Sequence, residues 1–211
     1  MGRVSNPQVP ELGRRERKRS ETRERIFRCA MRLFAERGFF ATTVEDITEA
    51  ADVGKGTFFN YFPSKEGVFN VLAEIQLGKV EEARARADRG EASTHDVLRD
   101  LLHRITEEPG HSRSLTRSLL SAFCTDAVRE ITVGTMARGR EMLAGIFQAG
   151  QERGEVRREL KAMDLAFVFQ QTAFGTLMLW SMQPEGSLKP WLNRSFESLW
   201  AAVSARKGAV R

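Results

Sequence analysis

The stretch from Phe40 to Phe69, FATTVEDITEAADVGKGTFFNYFPSKEGVF, leaves the backbone few options. Val44, Ile47, Ala50 and Ala51 recur at helical spacing, with two threonines just ahead of them. Thr42 with Glu45 fits a capping box, in which a hydroxyl and a carboxylate satisfy the first free backbone N–H groups. Thr43 with Asp46 is a looser version of the same device. Asp52-Val53-Gly54 breaks this helix, because Gly54 can take turn dihedrals that a side chain resists. Lys55 to Tyr61 makes a second short helix. Pro63-Ser64 stops it, since the residue ahead of a proline avoids helical dihedrals, and Ser64 can cap a new helix from Lys65. Two short helices across a tight turn, the second with a glycine-flanked lysine and a run of aromatics, suit an element pushed into a DNA groove.

The rest of the chain reads as helix too. A first helix covers about Glu21 to Arg37, with Ile26, Ala30, Leu33 and Phe34 on one face. A long fourth helix runs from Lys65 to about Ala87, apolar at its start and charged at its end, and reads as a connector. Thr94 caps a fifth helix to about Glu107, and Pro109-Gly110 breaks the chain. Helices six to nine cover about Arg113–Cys124, Ala127–Arg153, Met163–Met182 and Lys189–Lys207, with a polar, irregular stretch from Gly154 to Lys161. No strand pattern and no internal repeat appears. The expected fold is all-α with about nine helices. Residues 1–19 form a basic arm expected to be disordered, 20–68 the helix-turn-helix unit, and 69–211 a helical ligand-binding and dimerisation domain.

Charge supports this reading without proving it. The chain of 211 residues has a net charge of +5, a modest basic excess that fits a nucleic-acid partner. Arg14, Arg15, Arg17, Lys18, Arg19, Arg23, Arg25 and Arg28 cluster ahead of and inside the first helix, where they can meet phosphates. Cys29 and Cys124 sit among apolar helical neighbours and read as buried free thiols. The polar N-terminus has no signal-peptide core, and Gln170-Gln171-Thr172 interrupts the nearest membrane-span candidate. A soluble, cytoplasmic protein is expected.

From about Glu24 to Leu72 the chain resembles the DNA-binding segment of the TetR family of bacterial repressors. The features that agree, in order, are an apolar first helix ending at Gly38-Phe39, the Thr-Thr cap, Ile47 and Ala51, Val53-Gly54-Lys55-Gly56-Thr57, Phe58-Phe59, Tyr61-Phe62 and Ser64-Lys65-Glu66. Beyond Leu72 only length and helical character agree. In such motifs the second helix lies in the major groove. Lys55 at its start can reach guanine or a phosphate, Thr57 a thymine methyl or a phosphate, and Asn60 adenine. Gly54 and Gly56 leave room for close backbone approach; Gly56 costs up to about 1 kcal/mol relative to Ala within a helix. Thr43, Tyr61 and Lys65 match phosphate-holding positions of the family, and Thr42 belongs to the same cap. Phe59 departs from a common tyrosine and Gly54 from a common serine. Phe58, Phe62, Val53, Ile47 and Ala51 read as core.

The resemblance also implies a homodimer, a double-stranded DNA operator and a small-molecule effector. The last two helices carry more apolar surface than one side can hide. Phe169, Met178 and Trp180 on one, and Phe196, Leu199 and Trp200 on the other, are the interface candidates. A pocket is expected among helices five to eight, with Leu102, Leu119, Phe123, Met136, Leu143, Phe147, Phe167 and Phe174 as apolar liners. His103, Arg117, Gln170 and Gln171 are the polar candidates. Ligand binding there would shift the spacing of the two DNA-binding units.

Two rival classes remain. An enzyme lacks support: there is no nucleophile motif, no phosphate loop and no catalytic carboxylate pair, and no cofactor is expected. His95, His103 and His111 recur every eight residues, a spacing that turns each away from the last, so no metal site is expected. The other rival is a DNA-binding protein of the same fold with no small-molecule switch, governed by a protein partner.

Overall fold

In the computed structural model, which describes residues 13–205, the periodic apolar stripes form helices. They are α1 (Arg14–Arg37), α2 (Val44–Ala50), α3 (Lys55–Phe59), α4 (Val68–Asp88), α5 (Thr94–Glu107), α6 (Arg113–Ala122), α7 (Asp126–Glu152), α8 (Ala162–Ser181) and α9 (Leu188–Val203). A 3-10 turn, Pro109–His111, stands between α5 and α6. The expected disordered arm divides. Residues 1–12 lie outside the described residues, whereas 14–19 extend α1, as good helix formers with the Arg17–Glu21 pair at 4.0 Å allow. The end of the expected ninth helix, at Lys207, also lies outside the described residues.

Local chemistry sets the boundaries, and it corrects several expectations. The capping box belongs to Thr43 and Asp46, not Thr42 and Glu45. Thr43 Oγ1 accepts from the Asp46 N–H at 3.1 Å, and Asp46 Oδ2 accepts from the Thr43 N–H at 2.8 Å. Thr42 stands one residue too early; its buried hydroxyl donates to the Gly38 carbonyl at 2.8 Å, closing the end of α1. Thr43→Ala is expected to cost about 1 kcal/mol of stability, read as a lower chemical-denaturation midpoint. An unchanged midpoint would mean that Asp46 holds this helix start alone.

The break after α2 falls on Asp52, with φ 49, rather than on Gly54, whose φ of −73 any residue adopts. A short polar side chain tolerates that left-handed turn. Helix α4 starts at Val68, not Lys65, because residues 64–67 form a turn in which the Gly67 N–H meets the Ser64 carbonyl at 3.1 Å. A Cβ on Gly67 would stand 2.9 Å from Pro63 Cδ, so glycine is needed there for space. Ser93, not Thr94, caps α5 by accepting from the Asp96 N–H. Residues 154–161 are less irregular than expected. Val156 forms an isolated antiparallel bridge with Ser204, and the Arg157 N–H donates to the Val203 carbonyl at 2.9 Å.

Two apolar clusters hold these helices. One joins the ends of α4 and α7 to α5, α8 and α9, around Leu98, Leu101, Leu102, Phe147, Phe169 and Phe196. The other gathers α1, α2, α3 and the start of α4 around Phe34, Phe39, Phe58, Phe62 and Phe69. It does not stop at the DNA-binding unit: Leu115, Leu119 and Ala122 of α6 and Val128 of α7 belong to it. Phe34 is central, edge-on to Phe39 at 5.2 Å and stacked on Phe69 at 6.2 Å. Among the described residues no helix is long and apolar enough to cross a membrane.

Candidate nucleic-acid interface and ligand cavity

Helix α3 is anchored from one side and open on the other. Phe58 and Phe62 are buried, with ring centroids 5.4 Å apart, so the face with Lys55, Gly56, Phe59 and Asn60 looks outward. Phe59 is 52% exposed and rests edge-on against Phe58. Lys55 does not stand alone: its amine pairs with Glu45 of α2, and that bond holds the Glu45 carboxyl below the ordinary glutamate range. Thr43 is exposed, Thr57 half-buried, and nothing lies within 4 Å of a Cβ on Gly54 or Gly56. Tyr61 is half-buried, with the Arg19 guanidinium 5.9 Å from its ring centroid, which brings the N-terminal part of α1 beside α3.

Two of the expected DNA contacts are occupied otherwise. Thr42 is fully buried and offers no surface to a duplex. Lys65 turns inward: its amine donates to the Phe39 and Thr42 carbonyls, 2.8 Å each, and sits 4.3 Å from the Phe39 ring centroid. Burial pushes its pKa below the ordinary lysine value. The amine thus ties the turn before α4 to the α1–α2 connection. The basic cluster of α1 is partly self-neutralised, because Arg23 forks onto Glu74 with two bonds of 2.8 Å and Arg28 pairs with Glu24. Arg15, Lys18 and Arg25 make no ion pair among the described residues and are exposed.

A cavity of about 220 Å³ lies between α4, α5, α6, α7 and α8. Of the expected liners, Leu119, Phe123, Met136, Leu143, Gln170 and Phe174 reach it. Leu102 and Phe147 do not; they are packed into the core, Phe147 edge-on to Phe169. His103 faces α9, its Nε2 2.8 Å from Asn193 Oδ1. Arg117 donates to the Ser181 carbonyl at 2.6 Å and is exposed. Phe167 and Gln171 line a second, outer hollow of about 270 Å³ between α7 and α8, where Arg140 stacks on Phe167 at 4.7 Å. The missed wall is α4, which supplies Phe69, Leu72, Ala73, Gln76, Leu77 and Val80. Their helical spacing was visible, but a charged C-terminal end made this helix read as a mere connector.

The expected pairing face also redistributes. Phe169, Trp180 and Phe196 are buried within the subunit. Trp180 donates to the Gly186 carbonyl at 3.1 Å under the Arg113 guanidinium. Leu199 and Trp200 are half-buried against the core, with Trp200 stacked on Phe196. The exposed apolar stripe lies instead along α8: Met163, Phe167, Met178 and Met182 at helical spacing, with Val168 and Leu179 beside it. Cys124 is exposed and Cys29 half-buried, its thiol 3.3 Å from the Ala50 carbonyl, so neither is the buried thiol expected. His95 bonds Glu197 and Asp96, and no cluster suited to a metal ion occurs among the described residues.

Comparison with known proteins agrees with this geometry. Residues 26–72 match the family described as bacterial regulatory proteins, tetR family. The chain is 27% identical over 159 residues to YvkB of Bacillus subtilis, an HTH-type transcriptional regulator, covering 73% of this chain and 80% of that protein. It is 47% identical over 79 residues to TcmR of Streptomyces glaucescens, also an HTH-type transcriptional regulator, covering 37% of this chain and 32% of TcmR. Among solved structures, it is similar to FadR of Thermus thermophilus, a TetR-family transcriptional repressor in complex with lauroyl-CoA. That likeness has a TM-score of 0.64 and 27% identity, over 90% of this chain and 98% of that one.

Proposed function

Since the chain belongs to the tetR family of bacterial regulatory proteins, a ligand-responsive group of DNA-binding repressors, we propose how its own residues do that work. It binds an inverted-repeat operator as a homodimer in the cytoplasm, represses from there, and is released by a small, apolar molecule in the α4–α8 cavity. The observation that carries this reading is the joint one: an outward face on α3, an apolar stripe on α8, and an apolar cavity between them. The T. thermophilus repressor was solved with lauroyl-CoA; the acyl chain of that molecule, not its phosphorylated part, is what supports an apolar effector here.

On DNA, Lys55 exchanges its Glu45 partner for a guanine edge or a phosphate. Asn60 and Phe59 face the bases, the latter suited to a thymine methyl. Thr43 and Tyr61 hold phosphates beside the exposed cations of α1. Along α8 the exposed methionines and Phe167 meet their own copies across a two-fold axis. An effector acts by binding one spacing of the two reading heads more tightly than the other.

Selection of bound duplexes from a random pool tests this, with Lys55→Ala in parallel. The wild type is expected to enrich an inverted repeat. Lys55→Ala should bind it more weakly, with a log–log salt slope flatter by about one for each phosphate the variant leaves without its cation. An unaltered slope and affinity would remove Lys55 from the interface, and a selected site without two-fold symmetry would sink the dimeric reading.

A further inference from the structure

Resting on the effector reading above, we infer that the effector is an uncharged, mainly apolar molecule carrying a hydroxyl or N–H group, and that the amide oxygen of Gln76 on α4 accepts a hydrogen bond from that group. Gln76 lines the cavity. Its amide has one workable orientation: Nε2 donates to Glu108 Oε2 at 3.2 Å, and turning it over would set two acceptors against each other. Glu108 is itself pinned by Lys79, whose amine also donates to the Arg104 carbonyl. The amide oxygen is left over. Gln76 Oε1 is buried and has no hydrogen-bond partner among the described residues. A buried acceptor is rarely left unmet in a native protein, and one on a cavity wall can be met by what the cavity holds.

The remaining wall points to the same chemistry. A hydroxyl has one proton to give. Thr106 donates its own to the Leu102 carbonyl at 2.8 Å, and Thr116 to that of Pro109 at 2.6 Å. Thr132 and Thr135 donate to the Val128 and Ile131 carbonyls at 2.8 and 2.7 Å. Gln170 donates to the Met136 carbonyl and accepts from Arg140. None of the described residues lining this cavity is ionisable. A carboxylate or phosphate would therefore lose its water shell with no counter-charge to replace it. Size narrows the class further. An apolar cavity of about 150 Å³ takes a benzene, so about 220 Å³ suits a molecule of one or two rings, or an aliphatic of like bulk.

Four probes on one scaffold test the inference on the full-length protein by titration calorimetry: naphthol, methoxynaphthalene, naphthalene and naphthoate. Naphthol is expected to bind tightest. The ether and the hydrocarbon, which have no proton to donate, should bind about tenfold more weakly, and naphthoate not measurably. Gln76→Leu should remove the preference for naphthol over naphthalene while the hydrocarbon still binds; Gln76→Met, of like length, serves if the leucine variant does not fold. Equal affinity for naphthol and naphthalene in the wild type, tighter binding of naphthoate, or no binding of any probe overturns the assignment. Release from the selected duplex is read separately by fluorescence anisotropy. Naphthol that binds with the expected preference yet releases no DNA supports the Gln76 assignment and sinks the effector-release reading. Release without the preference does the opposite.

Discussion

Met178→Glu is expected to yield a folded monomer that has lost most of its grip on an inverted-repeat operator. Met178 is 38% exposed in the single subunit and lies on the α8 stripe with Met163, Phe167 and Met182, so a carboxylate there costs the monomer little. In a two-fold pairing the same position meets the partner's stripe, and each dimer would bury two carboxylates in apolar surroundings. Two linked reading heads gain from effective concentration, a factor of about 10²–10⁴ over one head alone. Operator affinity should fall within that range while the circular dichroism spectrum stays unaltered. Light scattering at micromolar concentration checks the mass. A dimeric mass for the variant would move the pairing surface away from this part of α8.

The other large effect is expected inside the N-terminal cluster. Phe34 is fully buried and packs on both Phe39 and Phe69, so Phe34→Ala removes a central ring between α1 and the start of α4. The expected loss is about 3–5 kcal/mol, a large share of the roughly 5–15 kcal/mol that holds a typical domain. Because Leu115, Leu119 and Ala122 of α6 share this cluster, the damage should not stay in the first helices. Urea unfolding should shift as one transition. An early transition that removes only part of the helix signal would show that the two clusters melt independently.

How much of this was legible in the sequence depends on what each residue had to reveal. Burial of Phe58 and Phe62 was readable because aromatics on and just after so short a helix, four residues apart, turn to the same side. Ile47 and Ala51 followed from the same spacing. Periodicity gives the face of a helix but not what lies opposite. The apolar start of α4, with Phe69 and Leu72, was therefore readable without any sign that it meets a void. Long polar side chains were least legible. Lys65 looked like a phosphate ligand, and only the fold brings the Phe39 and Thr42 carbonyls to its amine. His103 and Arg117 likewise found partners on α9 and at the end of α8 that no local pattern announces. Phe169, Trp180 and Phe196 were read as interface from sheer apolar content, yet the subunit uses them for its own core.

The cluster that runs from α1 through α3 into α6 also decides where this protein can be cut and rejoined. A biosensor builder who grafts the first 68 residues onto the sensing half of a relative would sever Ile26 and Phe34 from Phe69, Leu115 and Leu119, leaving two raw apolar faces with mismatched shapes. A graft that carries α6 along, or redesigns its inward face to fit, keeps that seam closed. Exchange of parts between such proteins is therefore constrained by a helix some forty residues beyond the apparent joint, on the wall of the cavity itself.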